Sequence, residues 1–285
     1  MKKQVKRMIR IHILHPLRRG QVLLKWRQAS FGETPVVFGN AMPKSGSKLL
    51  MQILRGMTSL APLVESSSGP VRTITIEGRT RSQGEILQDL HRLRHGDITL
   101  GYLHATPENQ VYLTRPDWAS YFIYRDPRDL LVSHIFYAVD MNPNHAMHAY
   151  YQPLSMEERL RPASQGLQQD KLHLPDVRTR YERILGWMDC PQVMKIRFEE
   201  LTQERESVLE ALLMHFEAAG GRLALPRSEA IGELLKAMDP KNSPTFRKGK
   251  SGGWREHFSD ENKRLFKDNA GDLLIRLGYE KDNDW

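Results

Sequence analysis

Short, mostly apolar runs alternate with helix-like segments along most of the chain, and this alternation predicts the fold. Continuous apolar runs of this length are typical of strands that are buried on both faces of a sheet. Strands are predicted over residues 35–39, 97–104, 120–124 and 192–198. Helices are predicted over residues 48–57, 127–136, 203–219 and 228–238, with Pro127 in the first turn of the second helix and Asp126 as its N-cap. The pattern indicates an α/β fold, a single domain with a central, mostly parallel sheet flanked by helices.

The connections between these elements are of two kinds. Residues 42–47 and 125–129 are short polar segments that directly follow a predicted strand, and each is a turn that leads into a helix. In parallel sheets, ligands bind beyond the carboxyl ends of the strands, so these turns are candidate binding loops. Residues 62–84 and 138–176 are long and have no clear helix or strand pattern, so we expect irregular insertions there.

Composition narrows the class of protein. The chain has 285 residues, of which 40% are hydrophobic and 27% are charged, which excludes a wholly disordered protein. No apolar run approaches the roughly 18 residues that cross a bilayer, so no membrane-spanning helix is expected. Cys190 is the single cysteine, and it can form neither an internal disulfide nor a zinc site by itself. This is consistent with a reducing compartment, and we expect a cytoplasmic protein.

Positive charge is concentrated at the beginning of the chain. The formal net charge is +8, and residues 1–27 contain nine Lys and Arg and no acidic residue. The other residues hold 33 basic and 34 acidic side chains, so a nucleic-acid-binding surface over the whole protein is not expected. We therefore predict a basic N-terminal arm over residues 1–33 and an α/β domain over residues 34–285.

The arm also carries apolar residues at roughly helical spacing, namely Val5, Met8, Ile9, Ile13 and Leu17. This pattern predicts an amphipathic helix. Two interpretations stay open, and the simpler one is a leading helix that is solvated or packed against a partner. The other is peripheral contact with an anionic membrane surface, to which each cation contributes on the order of 1 kcal/mol.

Residues Met42-Pro-Lys-Ser-Gly-Ser47 form the most informative segment. A strand followed by a tight turn and a helix presents unpaired backbone N–H groups to an anion, which predicts a P-loop-like phosphate-binding loop. Lys44 adds a cation, and Ser45 and Ser47 add hydroxyl donors. Nucleoside triphosphatases need a glycine immediately before this lysine, where the chain has Pro43, and no strand-end aspartate for magnesium is evident. The loop therefore favours a phosphate-like ligand that is bound without a required metal.

Three segments together resemble one known family. They are Pro43-Lys-Ser-Gly-Ser47, Tyr124-Arg-Asp-Pro-Arg-Asp-Leu-Leu-Val-Ser133 and Arg247-Lys-Gly-Lys-Ser-Gly-Gly-Trp254. In this order along the chain they resemble the 5′-phosphosulfate loop, the 3′-phosphate segment and the closing segment of the sulfotransferases that use 3′-phosphoadenosine 5′-phosphosulfate (PAPS). The resemblance covers residues 35–266.

The resemblance implies a role for each matching residue. Lys44 would contact the oxygen that bridges phosphate and sulfonate. The backbone amides of the next four residues would surround the 5′-phosphate; these are Ser45, Gly46, Ser47 and Lys48. The 3′-phosphate would be bound by a second group, which consists of Arg125, Ser133, Arg247, Lys248 and Gly249. The alternative for Arg125 is an ion pair with Asp129.

The resemblance also implies a general base. His104 ends the second predicted strand and would accept the proton of the acceptor hydroxyl, a role that imidazole suits at neutral pH. A structural histidine is the alternative interpretation, and Glu108 is the substitute base. Ser133 is expected to engage Lys44 before the acceptor arrives, which would restrain hydrolysis of PAPS.

The chain departs from the family pattern at several positions. Leu49 replaces an aromatic residue that often stacks on adenine, and Phe198 lacks the hydroxyl of a common tyrosine, so apolar packing of Phe198 against adenine is expected. Tyr102 stands where the family often has lysine, so one auxiliary cation is missing. Gly253 replaces a common aspartate before the tryptophan of the closing segment.

The resemblance predicts a sulfotransferase with PAPS as co-substrate and no metal. The sulfonate would move in line to a hydroxyl, less commonly an amine, of a small-molecule or carbohydrate acceptor, releasing 3′,5′-ADP. Residues 137–153 are the candidate acceptor wall, and His145 and His148 are expected to serve there rather than hold a metal. The alternatives are a non-catalytic nucleotide- or anion-binding module at a membrane surface and an atypical P-loop kinase. The oligomeric state cannot be inferred from the sequence.

Overall fold

The chain forms two compact units. The computed structural model describes residues 2–67, 69–75, 78–169, 172–239 and 251–285. One unit contains Met1–Tyr124 and Gly186–Ser243, and the other contains Arg125–Leu185 and Pro244–Trp285.

The strands, in chain order, are β1 (Val36–Ala41), β2 (Val64–Glu65), β3 (Val71–Arg72), β4 (Asp97–Tyr102), β5 (Trp118–Tyr124), β6 (Leu167–Gln169), β7 (Leu172–Leu174) and β8 (Val193–Arg197). The helices are α1 (Lys2–Ile9), α2 (His15–Trp26), α3 (Ser47–Gly56), α4 (Gln83–His91), α5 (Pro107–Leu113), α6 (Pro127–Phe136), α7 (His148–Tyr151), α8 (Met156–Gln165), α9 (Val177–Leu185), α10 (Phe198–Gln203), α11 (Arg205–Ala218), α12 (Arg227–Ala237) and α13 (Asp260–Arg276).

The first unit is built on a parallel sheet. Its strand order is β2-β4-β1-β5-β8, and β3 also pairs with β4. Every pairing in this sheet is parallel. All residues of β1 and β5 are buried, because helices cover both faces of the sheet. The predicted α/β class with a mostly parallel central sheet is confirmed.

One face of the sheet explains how the first loop is positioned. Helix α3 packs on β1 and on α12, and α11 packs on β5 and β8. The core between them includes Leu50, Ile53 and Leu54 of α3, all fully buried. Gly39 of β1 permits this close approach, since a Cβ atom there would lie 2.7 Å from Leu54 Cδ1. The helix that follows the loop is therefore fixed directly over the central strand.

The second unit is mainly helical. Helix α8 packs against α6 and α13, and α9 also packs against α13. Strands β6 and β7 pair as an antiparallel hairpin.

The expectation of an irregular insertion over residues 138–176 is wrong for much of that segment, which contains α7, α8 and the β6–β7 hairpin. The physical reason is local. Ser155 Oγ accepts the N–H of Glu158 at 3.3 Å, and the Glu158 carboxylate accepts the N–H of Ser155 at 2.7 Å. This capping box starts α8. The described residues of 62–84 fit the expectation better, since they include only the two-residue strands β2 and β3, an isolated bridge between Ile74 and Thr80, and the beginning of α4.

The basic N-terminal segment is helical and is attached to the first unit through charge. A π-helical turn over Arg10–Leu14 joins α1 and α2. The Asp97 carboxylate is fully buried at the start of β4, and it accepts hydrogen bonds from Arg19 and from the backbone N–H of Arg94. It also lies 3.0 Å from His15 Nε2. Among the described helices, none is both long enough and apolar enough to cross a membrane.

We expect Asp97→Ala to lower the free energy of unfolding by about 3 kcal/mol, because it leaves the guanidinium of Arg19 without its buried partner. Urea denaturation of the full chain measures this. The control is Asp117→Ala, which removes an ion pair with Arg115 whose side chains are 30% and 48% exposed. That variant should lose less than about 1 kcal/mol. Equal losses in the two variants would contradict the role of Asp97.

Candidate active site

The carboxyl ends of the parallel strands converge at one edge of the first unit. Strand β1 ends at Ala41, β4 at Tyr102 and β8 at Arg197. Since neighbouring parallel strands end on the same side of a sheet, the segments after them share that side. The structure therefore places the loop of residues 42–46, His104 and Phe198 at the same edge of the sheet.

The loop after β1 is held by Ser45. Its side chain is fully buried, and its Oγ lies 2.6 Å from the carbonyl oxygen of Met42 and 3.0 Å from that of Ile123. The Ser45 N–H also donates to the Met42 carbonyl, at 3.2 Å. Both polar groups of Ser45 are thus used to close the turn, although the sequence predicts that they bind a phosphate. In this geometry Ser45 shapes the loop, and its role as a phosphate donor stays a prediction.

The backbone of the loop has two residues with positive φ. Lys44 has φ +72° and Gly46 has φ +97°. A lysine in the left-handed region costs on the order of 1 kcal/mol, and such strain is common where a loop must present groups to a ligand. Lys44 is partly buried.

Gly46 is the N-cap residue of α3 and provides no side-chain cap. The first N–H groups of a helix have no partner within the helix, and together they favour a negative charge. Phe198, the first residue of α10, packs against this glycine and is 8% exposed. A Cβ atom on Gly46 would lie 2.5 Å from Phe198 Cδ2 and 3.2 Å from Ile123 Cδ1. The phenyl ring therefore packs on the loop, and the contact predicted between Phe198 and adenine stays a prediction.

The first turn of α3 is linked to β4 and β3. The hydroxyl of Tyr102 donates to Ser47 Oγ at 2.9 Å. Since a serine hydroxyl that accepts this bond keeps its own hydrogen, Ser47 can still donate to a ligand. Arg72, paired with Tyr102 in the sheet, places its guanidinium 4.7 Å from the centre of the Tyr102 ring. A positive charge therefore lies beside Tyr102, the position at which the sequence predicts that one auxiliary cation is missing.

The other residues at the start of α3 point in different directions. Lys48 is exposed, which leaves its ammonium group in solvent at the beginning of the helix. Leu49 is buried and belongs to the hydrophobic core. Leu49 therefore packs inside the first unit. The aromatic residue that it replaces in the family pattern would instead be expected to stack on adenine.

His104 lies between β4 and α5, and its backbone is fixed on both sides. The buried Asn40 of β1 accepts the N–H of Leu103 at 2.9 Å and donates to the Leu103 carbonyl at 3.2 Å. The buried Asn109 of α5 donates to the His104 carbonyl at 3.0 Å. The imidazole is partly buried, whereas the predicted substitute base Glu108 is exposed in the first turn of α5.

The second predicted group of phosphate ligands lies in the second unit. Arg125 follows β5 and lies 3.8 Å from the carboxylate of Asp129, so the ion pair considered as an alternative is present. Ser133 is partly buried within α6. Arg247, Lys248 and Gly249 lie outside the described residues, so their roles stay predictions.

Asp129 holds the end of the closing segment. Its carboxylate accepts the N–H of Gly252 at 2.7 Å and that of Trp254 at 2.9 Å. Burial raises the pKa of Asp129 above its ordinary value, although Arg125 and the two N–H groups oppose this. The residue thus ties the segment before α13 to the first turn of α6.

A buried arginine supports the same segment. Arg128 is 1% exposed and binds the carboxylates of Asp126 and Glu280, at 2.7 and 2.6 Å. Its guanidinium lies 4.0 Å from the centre of the Trp254 ring and 4.5 Å from that of Trp285. Cation–π contacts of this kind contribute about 2 kcal/mol when desolvated.

The candidate acceptor wall contains a group of aromatic side chains. The ring of His145 lies edge-to-face with those of His134 and Tyr137, at centroid distances of 5.0 and 5.9 Å. His145 Nδ1 accepts the N–H of Met147, and His148 Nδ1 lies 2.8 Å from the carbonyl of Ala138. Burial, and secondarily the nearby His148, lowers the pKa of His145. These contacts orient the rings within the wall.

Several residues of the site were not singled out by sequence reasoning. They are Asn40, Asn109, Arg72 and, as a ligand of backbone amides, Asp129. The sequence could have indicated Asn40, because it is a polar residue inside an otherwise apolar strand, and a buried polar group needs a hydrogen-bond partner. The other three depend on which elements become neighbours, and the sequence does not show this.

Comparison with known proteins identifies the family of the chain. The sequence matches the sulfotransferase domain family over residues 36–278, and the chain therefore belongs to that family. No curated protein sequence matches the chain significantly.

Solved structures share the fold at low sequence identity. The mouse sulfotransferase SULT7A1, complexed with PAP, has a TM-score of 0.56 and 15% identity, over 87% of this chain and 88% of that one. Retinol dehydratase in complex with androsterone and the inactive cofactor PAP has a TM-score of 0.54 and 13% identity, over 84% of this chain and 80% of that one. A complex of retinol dehydratase with retinol and PAP has a TM-score of 0.53 and 14% identity, over 84% and 81%. At these identities the likeness shows the fold.

We predict that Gly46→Ala destabilises the protein by about 2–4 kcal/mol, because left-handed strain adds to overpacking against Phe198. Gly32→Ala is the matched control, since Gly32 has φ +55° and no described atom within 4 Å of the added Cβ. It should lose only about 1 kcal/mol from strain. Urea denaturation compares the two variants.

The same substitution in a Phe198→Leu background isolates the packing contribution. There, Gly46→Ala should cost less than it does in the unaltered chain, because the smaller side chain can move away. An equal loss in both backgrounds would show that Phe198 does not restrict the loop.

Proposed function

We propose that this protein is a PAPS-dependent sulfotransferase that transfers the sulfonate to an acceptor hydroxyl and releases 3′,5′-ADP (PAP). One observation carries the proposal: a loop with Lys44 in the left-handed region leads into α3, whose N-terminus has no side-chain cap. Membership of the sulfotransferase domain family supports it. The PAP in the solved structures of similar fold supports the choice of donor.

The residues present fit the 5′-phosphosulfate of PAPS. An anion at the start of α3 would meet the helix N-terminus, the hydroxyl of Ser47 and the cations Lys44 and Lys48. No acidic side chain occurs between residues 34 and 64 to oppose it. When bound, PAPS would supply the activated sulfonate and a phosphate leaving group.

In the proposed mechanism, two side chains act on opposite sides of the sulfur atom that is transferred. His104 accepts the proton from the acceptor hydroxyl, whose oxygen forms the new bond to sulfur. Lys44 stabilises the negative charge that develops on the phosphate oxygen as its bond to sulfur breaks. Such preorganised donors act most strongly where charge grows in the transition state. Asn40 and Asn109 would position His104 by fixing the backbone around it.

The 3′-phosphate is assigned to Arg125, Ser133 and the segment 247–249. This assignment rests on the resemblance, and the guanidinium fork of an arginine is well suited to a terminal phosphate. Asp129 would restrain Arg125 through their ion pair, and it would hold the closing segment through Gly252. Phe198 is proposed to pack against the adenine as an apolar neighbour.

The acceptor is proposed as a hydroxyl-bearing small molecule or carbohydrate. Retinol dehydratase, in the two structures of similar fold, is complexed with androsterone in one and retinol in the other. In this chain, the aromatic group around His145 is the proposed wall. As part of the same proposal we place the protein in the cytoplasm, since its single cysteine suits a reducing compartment. Neither nucleic acid nor a metal is proposed to take part.

The first experiment incubates the full chain with PAPS and a panel of alcohols, phenols and sugars. Mass spectrometry should detect a sulfated product together with an equal amount of PAP. Lys44→Ala should lower turnover about a hundredfold or more, as is typical for the loss of one such donor. His104→Ala should abolish transfer and leave the affinity for PAP unchanged by calorimetry.

The control is Lys236→Ala, which removes a cation that is 76% exposed on α12 and should not change turnover. PAP binding without product from any acceptor would favour the non-catalytic binding module. Phosphate transfer from ATP in the presence of magnesium would favour the kinase. Absence of binding to PAP would refute the proposal as a whole.

The electrostatic contribution of Arg72 is tested separately. We expect Arg72→Gln to lower kcat about tenfold, because it removes a positive charge beside Tyr102 and the start of α3. Arg72→Lys should retain part of the activity, since the charge remains but the stacking on the ring is lost. The control is Arg115→Gln. The Arg115 guanidinium lies 6.0 Å from the ring of Trp118, which begins β5 and is therefore at the end of the strand away from the candidate site. If the two Gln variants have the same kcat, Arg72 has no role in transfer.

A further inference from the structure

The N-terminal helices have an unusual arrangement of polar and apolar side chains. The side facing the rest of the first unit carries polar groups, with the side chains of His15 and Arg19 only 13% and 16% exposed beside Asp97. Arg7 reaches Asp89 from the same side. The opposite side carries Leu17 and Leu24, which are 60% and 81% exposed. Helix α2 has no buried residue.

The exposed apolar residues extend along both helices. Val5, Ile9, Ile13 and Leu17 are four positions apart, and each is at least 42% exposed. In an α-helix three such steps would rotate the row by about 120° around the axis. The π-helical turn over Arg10–Leu14 holds an extra residue, which reverses about 100° of that rotation. The turn therefore keeps these side chains on one outward face.

Cations lie beside this apolar row. Arg18 and Lys25 immediately follow Leu17 and Leu24, so each is about 100° around the helix from its neighbour. Arg10, Arg18, Lys25 and Arg27 are all exposed, and residues 1–27 contain no acidic side chain. An outward apolar face bordered by positive charge is complementary to a surface with an anionic outer layer and an apolar layer beneath it.

We propose that the outward face of residues 5–24 binds the anionic surface of a lipid bilayer. The helix axis would lie in the plane of the headgroups, with Leu17 and Leu24 inserted among the acyl chains. The ion pairs of Asp97 and Asp89 would keep the opposite face on the first unit. This proposal is independent of the reaction assigned above, since it uses none of the proposed catalytic residues.

The test is co-sedimentation of the full chain with vesicles. Vesicles of phosphatidylcholine mixed with an equal part of phosphatidylserine should bind the protein, and vesicles of phosphatidylcholine alone should not. Binding should weaken when salt rises from about 0.1 M to 1 M, which shortens the Debye length from about 10 Å to about 3 Å. Leu17→Gln with Leu24→Gln should reduce binding at least about tenfold. Arg10→Gln and Arg18→Gln should each reduce it about fivefold.

The matched control is Met214→Gln on α11, which replaces an apolar side chain that is 52% exposed and lies outside the arm. It should leave vesicle binding unchanged. Sulfation of a water-soluble acceptor should be the same in the Leu17/Leu24 variant and the unaltered chain. Failure of the lipid proposal would therefore be distinguishable from failure of the proposed reaction.

Three results would overturn the proposal. The first is equal binding to neutral and anionic vesicles, or binding to neither. The second is self-association in sedimentation velocity that the Leu17/Leu24 substitutions abolish without affecting vesicle binding. The third is tighter binding to a random nucleic-acid duplex than to the anionic vesicles.

Discussion

The site depends on a helix N-terminus that the chain leaves without a side-chain cap. Ser, Thr, Asp or Asn at this position would satisfy one of the first N–H groups of α3, and glycine in place of such a cap costs roughly a few tenths of a kcal/mol. Gly46 does not provide a cap, and Phe198 occupies the space that a side chain would need. The first N–H groups of α3 can therefore bind an anion instead of a side-chain cap. Because α3 is fixed over the buried strand β1, that attraction has a fixed direction.

The polar groups around the proposed reacting residues are divided between support and chemistry. Ser45, Asn40 and Asn109 are fully buried, and each bonds to backbone atoms at the ends of β1, β4 or β5. Asn109 also accepts a bond from the side-chain amide of Gln83. The bonds to backbone atoms fix the backbone around Lys44 and His104. The backbone frame of the proposed site is therefore in place before a ligand binds.

The sequence predicts the parts of this protein that depend on local pattern. The strands of the sheet and the loop at residues 42–47 follow from apolar runs and turn residues, and the family follows from three short motifs. The sequence interpretation did not include helix α8, although the capping box of Ser155 and Glu158 can be recognised in the sequence. The stacking of Arg72 on Tyr102 and the contacts of Asp129 with Gly252 and Trp254 could not be predicted, since they join segments 30 and more than 120 residues apart.

The two amphipathic surfaces of the first unit show why the arm needs a separate explanation. Helix α3 directs Leu50, Ile53 and Leu54 into the core and leaves Lys48 in solvent, which is the arrangement that hydrophobic burial produces. Helix α2 does the reverse, with Arg19 turned inward and Leu24 outward. Charge on the buried aspartate explains the inward arginine, but folding alone gives no reason for an exposed row of leucine and isoleucine. A surface outside the folded chain supplies that reason, and the surrounding cations favour one that is negatively charged.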